Sequence, residues 1–125
     1  MPTVLLVEDD DPTAALLVEL LTGLGFAPER HNNTTAAVAA ARRRPFDLIV
    51  TDLWLAGEHD RAWENVARLS EAAPGVPLLV LTGHGRALEE GQRRGYDVLL
   101  KPFDVEDFER MISGMLGPSG RTAGG

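Results

Sequence analysis

With 125 residues, 19 acidic against 12 basic side chains and a net charge of −7, the chain has the length of one domain that buries roughly two thirds of its unfolded surface. Its charge repels nucleic acid except at patches such as Arg42-Arg43-Arg44 and Arg93-Arg94, which argues against direct DNA binding. The absence of cysteine excludes a disulfide frame, a thiolate nucleophile and a Cys-based zinc site and is compatible with the cytoplasm.

The apolar run from Val4 to Val7 predicts a first strand that stops at Glu8-Asp9-Asp10. This start lacks the basic residues and long apolar core of a signal peptide, and no stretch approaches the ~20 apolar residues of a membrane span. In the helix that follows, Asp11 is the expected cap and Pro12 suits the first turn. Leu16, Leu17, Leu20, Leu21 and Leu24 form one apolar face before Gly25. Residues 26–31 predict a second strand, and Asn33 opens an alanine-rich helix that runs to about Arg43 and is ended by Pro45.

A third strand from Asp47 to Thr51 is closed by Asp52. The third helix is expected from about Asp60 to Ala72, with Trp63, Val66, Ala67 and Leu69 inward, and Pro74-Gly75 turns the chain into a fourth strand over 76–81, followed by Thr82. The fourth helix, roughly 86–94, has Leu88 as its only large apolar residue and is interrupted by Gly91, which predicts weak packing. Residues 97–100 predict a fifth strand leading to Lys101-Pro102. The last helix opens at Asp104 and aligns Val105, Phe108, Met111, Ile112 and Met115. Residues 1–117 then form the domain, and the Gly-, Ser- and Pro-containing remainder, 118–125, reads as a disordered tail or the start of a linker.

Five βα units imply a parallel sheet in a three-layer α/β/α sandwich, and ligands of such sheets sit beyond the carboxyl ends of the strands. Every reactive candidate lies there. Taken singly, the acidic run reads as a helix cap, and Thr82-Gly83 and Lys101-Pro102 read as turns; their joint occurrence at four strand ends does not. Crowded carboxylates repel by roughly 4 kcal/mol per pair at about 4 Å and an effective dielectric near 20. Such a site therefore favours a divalent cation. With a hydroxyl and an ammonium nearby, Asp52 becomes a nucleophile for phosphoryl groups.

Glu8-Asp9 after strand one, Asp52 after strand three, Thr82 after strand four and Lys101-Pro102-Phe103 after strand five resemble the receiver domain of two-component response regulators, over about residues 3–116. The resemblance implies a flavodoxin-like fold, with a five-stranded parallel sheet in the order 2-1-3-4-5 and about five helices. It implies that Asp52 takes a phosphoryl group from a sensor histidine kinase or a histidine phosphotransfer protein. It also implies Mg²⁺ or Mn²⁺ held by Asp9, Asp52 and the backbone carbonyl of Trp54, with Glu8 acting largely through water. Asp9-Asp10 is the alternative register for the acidic pair. Lys101 would pair with Asp52 and later with the phosphoryl group, and Thr82 would donate its hydroxyl to that group. The fourth helix, fifth strand and last helix would form the output face of a cytoplasmic signalling module, monomeric or dimerising on phosphorylation.

Trp54 and His84 stand two residues past Asp52 and Thr82, flanking the expected pocket. Trp54 is expected to slow loss of the phosphoryl group by screening water, and His84 alone reads as an ordinary loop histidine. Two departures from the family pattern stand out. Leu55-Ala56-Gly57 lacks the usual proline, and Val98 occupies the place of the switch aromatic, with Tyr96 two residues away as a candidate substitute or a packed edge residue. The rival readings are a receiver that docks without accepting phosphate, a small phosphohydrolase with an aspartyl nucleophile, and a flavin or nucleotide binder. The second lacks an Asp-x-Asp pair, and the third lacks a Gly- or Ser/Thr-rich loop after strand one.

Overall fold

The computed structural model describes residues 1–54 and 61–123, with the backbone alone for 117–123. The elements alternate as β1 (Thr3–Val7), α1 (Asp11–Gly23), β2 (Ala27–His31), α2 (Thr34–Arg43), β3 (Leu48–Asp52), α3 (Ala62–Ala72), β4 (Leu78–Thr82), α4 (Gly85–Arg93), β5 (Asp97–Leu100) and α5 (Val105–Ala123). The strands pair in parallel in the order β2-β1-β3-β4-β5, as the family resemblance implies. The backbone of α5 continues to Ala123, beyond residue 117, where the sequence places the end of the domain. Among the described residues no helix is long and apolar enough to cross a membrane.

The three inner strands are continuous apolar runs because both of their faces are covered. Val4 to Val7, Leu48 to Val50 and Leu79 to Leu81 are all fully buried. Alternation along each strand divides them between two cores. Leu5, Val7, Ile49, Val80 and Val98 pack with Val38 of α2 and with Val66 and Leu69 of α3. Val4, Leu6, Leu48, Val50, Leu79 and Leu81 pack with Leu17 and Leu21 of α1 and with Phe108 and Ile112 of α5. The edge strand β2 is different: every residue is partly exposed, and it carries Pro28, Glu29 and Arg30, as suits a strand with one open side.

Several sequence expectations are corrected. The cap of α1 is Asp10, not Asp11: Asp10 has extended φ/ψ of −85° and 112°, and its carboxylate accepts from Thr13 N at 3.0 Å. A cap must be extended while its side chain folds back over the first turn, and Asp11 is already helical. Leu16 is 56% exposed, because the buried stripe of α1 runs through Ala14, Leu17 and Leu21 instead. Val105 is half exposed, the core stripe of α5 starting one turn later at Phe108. The caps Asn33 and Asp104 are as expected, accepting from Ala36 N and Asp107 N at 2.8 Å each. Trp63 and Ala67 are only half-buried on α3. The start of α3 expected at Asp60 and the segment Leu55-Ala56-Gly57 lie outside the described residues.

Gly91 needs the closest reading. Its glycine character suggested a weakened helix, yet a Cβ built there would lie 2.4 Å from Val98 Cγ2 and 2.7 Å from the Cη2 of Trp63. Ala87 and Gly91, one turn apart, are the buried residues of α4. The small residues let the helix backbone settle directly onto β5 and the Trp63 ring.

Candidate functional site: an acidic pocket at the strand ends

Glu8 follows β1 directly, and its amide donates to His31 O at 3.0 Å, extending the sheet by one rung. Val7 is paired with Thr51, so the next residues, Glu8 and Asp52, emerge side by side from adjacent strands. Oxygen atoms of Glu8, Asp9 and Asp52 lie within 4.8 Å of one another. From the end of β5, Lys101 Nζ donates to Asp52 Oδ1 at 2.7 Å and stands 3.7 Å from Glu8 Oε1. Backbone bonds fix the two flanking turns, with Leu53 N donating to Leu81 O at 2.9 Å and Lys101 N to Thr82 O at 2.7 Å. The Lys101-Pro102 peptide is cis.

Electrostatics follow from one ammonium facing three carboxylates. Burial, then the Asp52 charge, push the Glu8 carboxyl up to about 7, against the pull of the Asp10 amide and Lys101. Burial also raises the Asp52 carboxyl above its usual range, outweighing the hydrogen bond and charge of Lys101. For Lys101 burial acts downward, but the Asp52 hydrogen bond and the two carboxylate charges leave its pKa raised. Glu8 is 2% exposed, and among the described residues no donor reaches its Oε1 within hydrogen-bond distance. A buried carboxylate oxygen without a donor is costly, and a hard divalent cation takes such oxygens. The donor set therefore fits Mg²⁺ or Mn²⁺, with Glu8, Asp9 and Asp52 supplying oxygen.

The other residues singled out from sequence fall in two places. Thr82 is buried, with its Oγ1 accepting from His84 N at 3.3 Å. Trp54 and His84 meet edge to face, ring centroids 4.0 Å apart at 66°. They form one aromatic unit bridging the β3 and β4 ends. Tyr96 is elsewhere. It precedes β5 at the end opposite Lys101, stacked on Trp63 at 5.9 Å and 11°, and Arg94 lies 5.3 Å over the same indole. Val98 is buried in the core.

Sequence reasoning passed over Arg30. It is paired with Leu6 across the edge of the sheet, and its Nε donates to Glu8 O at 2.9 Å while Nη2 reaches Asp11 Oδ1 at 2.8 Å. A lone arginine in an edge strand carries no signal of its own; the register that brings it to the acidic loop is long-range.

The family model of the response regulator receiver domain matches residues 4–113. Among curated proteins, the transcriptional regulatory protein ZraR of Klebsiella oxytoca is 29% identical over 88% of this chain and 25% of its own length. CusR of Escherichia coli strain K12, also a transcriptional regulatory protein, is 33% identical over 79% of the chain and 44% of its own length. The chain thus spans less than half of either relative. Among solved structures, the chemotaxis protein CheY4 of Vibrio cholerae superposes with a TM-score of 0.80 at 25% identity, covering 93% of this chain and 99% of that one. The receiver domain of the sensor histidine kinase PA1611 of Pseudomonas aeruginosa, which has a magnesium ion coordinated in its active site cleft, superposes with a TM-score of 0.77 at 25% identity over 93% and 98% of the two chains. Fold, pocket and family match agree, and the chain belongs to the response regulator receiver domains of two-component signalling systems.

Proposed function

We propose that Asp52 accepts a phosphoryl group from a phosphohistidine of a sensor kinase or a histidine phosphotransfer protein. The observation that carries this reading is the meeting of Glu8, Asp9 and Asp52 within 4.8 Å, with Lys101 fixed 2.7 Å from one Asp52 oxygen. Glu8, Asp9, Asp52 and the Trp54 carbonyl would hold Mg²⁺ or Mn²⁺, which supplies charge neutralisation for the incoming phosphoryl oxygens.

An Asp52 carboxylate oxygen attacks phosphorus and the N–P bond breaks with its electron pair going to the ring nitrogen, so that a phosphohistidine protonated at its other ring nitrogen leaves as neutral imidazole. Lys101, a compact charge on a flexible stem, stays paired with the product. The Thr82 hydroxyl turns to the new phosphoryl oxygen, a charge-assisted bond stronger than its present contact with the His84 amide. Because His84 is the residue from which α4 starts, that turn draws on the start of the helix, and α4, β5 and α5 form the face that a target reads. The protein is a signalling acceptor rather than a metabolic enzyme, since Asp52-Leu53-Trp54 lacks the second acid of an aspartyl phosphohydrolase.

Incubation with acetyl phosphate or phosphoramidate and Mg²⁺, followed by intact mass measurement, tests the reading. One added phosphate in the natural chain and none in Asp52→Asn is expected. No uptake by the natural chain would leave a receiver that docks without phosphorylation.

A further inference from the structure

The loop that carries Glu8 and Asp9 is gripped at both ends by one side chain. Arg30 Nε donates to the Glu8 carbonyl at 2.9 Å, and its Nη2 to Asp11 Oδ1, in the first turn of α1, at 2.8 Å. The first bond stands in for a missing rung. In a parallel ladder the Glu8 carbonyl would meet the amide of Asn33, two residues beyond His31. The chain has by then left the sheet, because β2 ends at His31 and Asn33 is the cap of α2. Among the described residues no backbone amide reaches that carbonyl. The side chain of Arg30, three residues before Asn33 and still on β2, takes its place.

We propose that Arg30 is a positioning residue for the acidic pocket: its planar fork clasps the Glu8 carbonyl and the start of α1, and so keeps Glu8 and Asp9 aimed at Asp52. For the metal, this rests on the reading given under Proposed function. The two halves of the clasp are unequal. Asp11 is 85% exposed in its side chain, and exposed ion pairs contribute little. The bond to the carbonyl is part-buried and holds the residue that bears the orphaned oxygen. Lysine would keep the charge at this position but not the fork.

Positioning and plain electrostatics predict opposite signs. Removing a positive charge beside three carboxylates would tighten cation binding, whereas releasing the loop would weaken it. The full chain and its Arg30→Met, Arg30→Lys and Asp11→Asn variants are titrated with MgCl2 by calorimetry. Amide exchange of Asp9 and Asp10 is followed separately in EDTA. Urea unfolding in EDTA confirms that each variant is folded, and Arg30→Lys serves if Arg30→Met is not.

The expected result is a dissociation constant raised about tenfold in Arg30→Met, not restored in Arg30→Lys, and unchanged in Asp11→Asn. Loop amides exchange faster in both Arg30 variants while those of β3 and β4 do not. Affinity equal to or tighter than that of the natural chain in Arg30→Met would reduce Arg30 to a distant charge and overturn the proposal, as would unchanged exchange of the loop. If the natural chain itself takes up no Mg²⁺ while the variants' loop amides exchange faster, the clasp stands and it is the metal reading that falls.

Discussion

Replacing Glu8 by glutamine should stabilise the metal-free protein at neutral and alkaline pH. The folded-state carboxyl titrates at about 7 against an ordinary value of 4.5. Between those limits the folded chain holds a proton that the unfolded chain has released. Stability contributed by the neutral acid is therefore complete below about pH 4.5, declines as pH rises through the window, and is gone above about pH 7. The rise from 4.5 to about 7 corresponds to roughly 3 kcal/mol. A buried glutamine amide in the same place keeps part of the desolvation cost, so a net gain of about 1–2 kcal/mol at pH 8 is expected for Glu8→Gln. Urea unfolding in EDTA at pH 5 and pH 8 measures it. Comparing the two proteins cancels every contribution common to both. The variant should exceed the natural chain at pH 8 and lose that advantage by pH 5, where the residual cost of the buried amide leaves it the less stable of the two, and excess Mg²⁺ should close the gap at pH 8 by stabilising the natural chain more. Equal pH dependence in the two proteins would refute the claim that Glu8 is held under electrostatic stress.

Further expectations concern separate features. Asp10→Ala should lower stability in EDTA by about 1 kcal/mol through loss of the α1 cap, while Asp11→Ala should change it by less than about 0.5 kcal/mol; equal effects would return the cap to the position expected from sequence. Gly91→Ala, whose methyl meets Val98 and Trp63, should cost about 1–3 kcal/mol, against the gain that a glycine-to-alanine change brings in an open helix. Trp54→Ala removes one half of the aromatic unit with His84 and should speed loss of the phosphoryl group several-fold, read by mass after the donor is removed; an unchanged rate would show that the indole does not screen water.

The sheet was legible because its inner strands are unbroken apolar runs, and the pocket because the chemistry sits where those runs stop. Residues such as Asp52 and Lys101 are announced by their strands. What escaped depends on tertiary register or on a single turn of backbone. Asp10 and Asp11 are chemically equivalent candidates, and only the φ/ψ of the junction separates them. Leu16 fits the helical period as well as Leu17 does, but the axis of α1 relative to the sheet decides which is covered. Arg30 acquires its role from a neighbour 22 residues away. Tyr96 and Trp63 are far apart in sequence, and only the fold brings their rings together, where Trp63 also meets the bare backbone of Gly91.

The bare backbone at position 91 gives this receiver a built-in gauge. An indole rests against a helix with no side chain between them, so a small lift of α4 would open the ring to water and change its emission. Trp63 can thus report on the position of α4 without any label, with Trp54 as the second chromophore to be removed before the reading is taken.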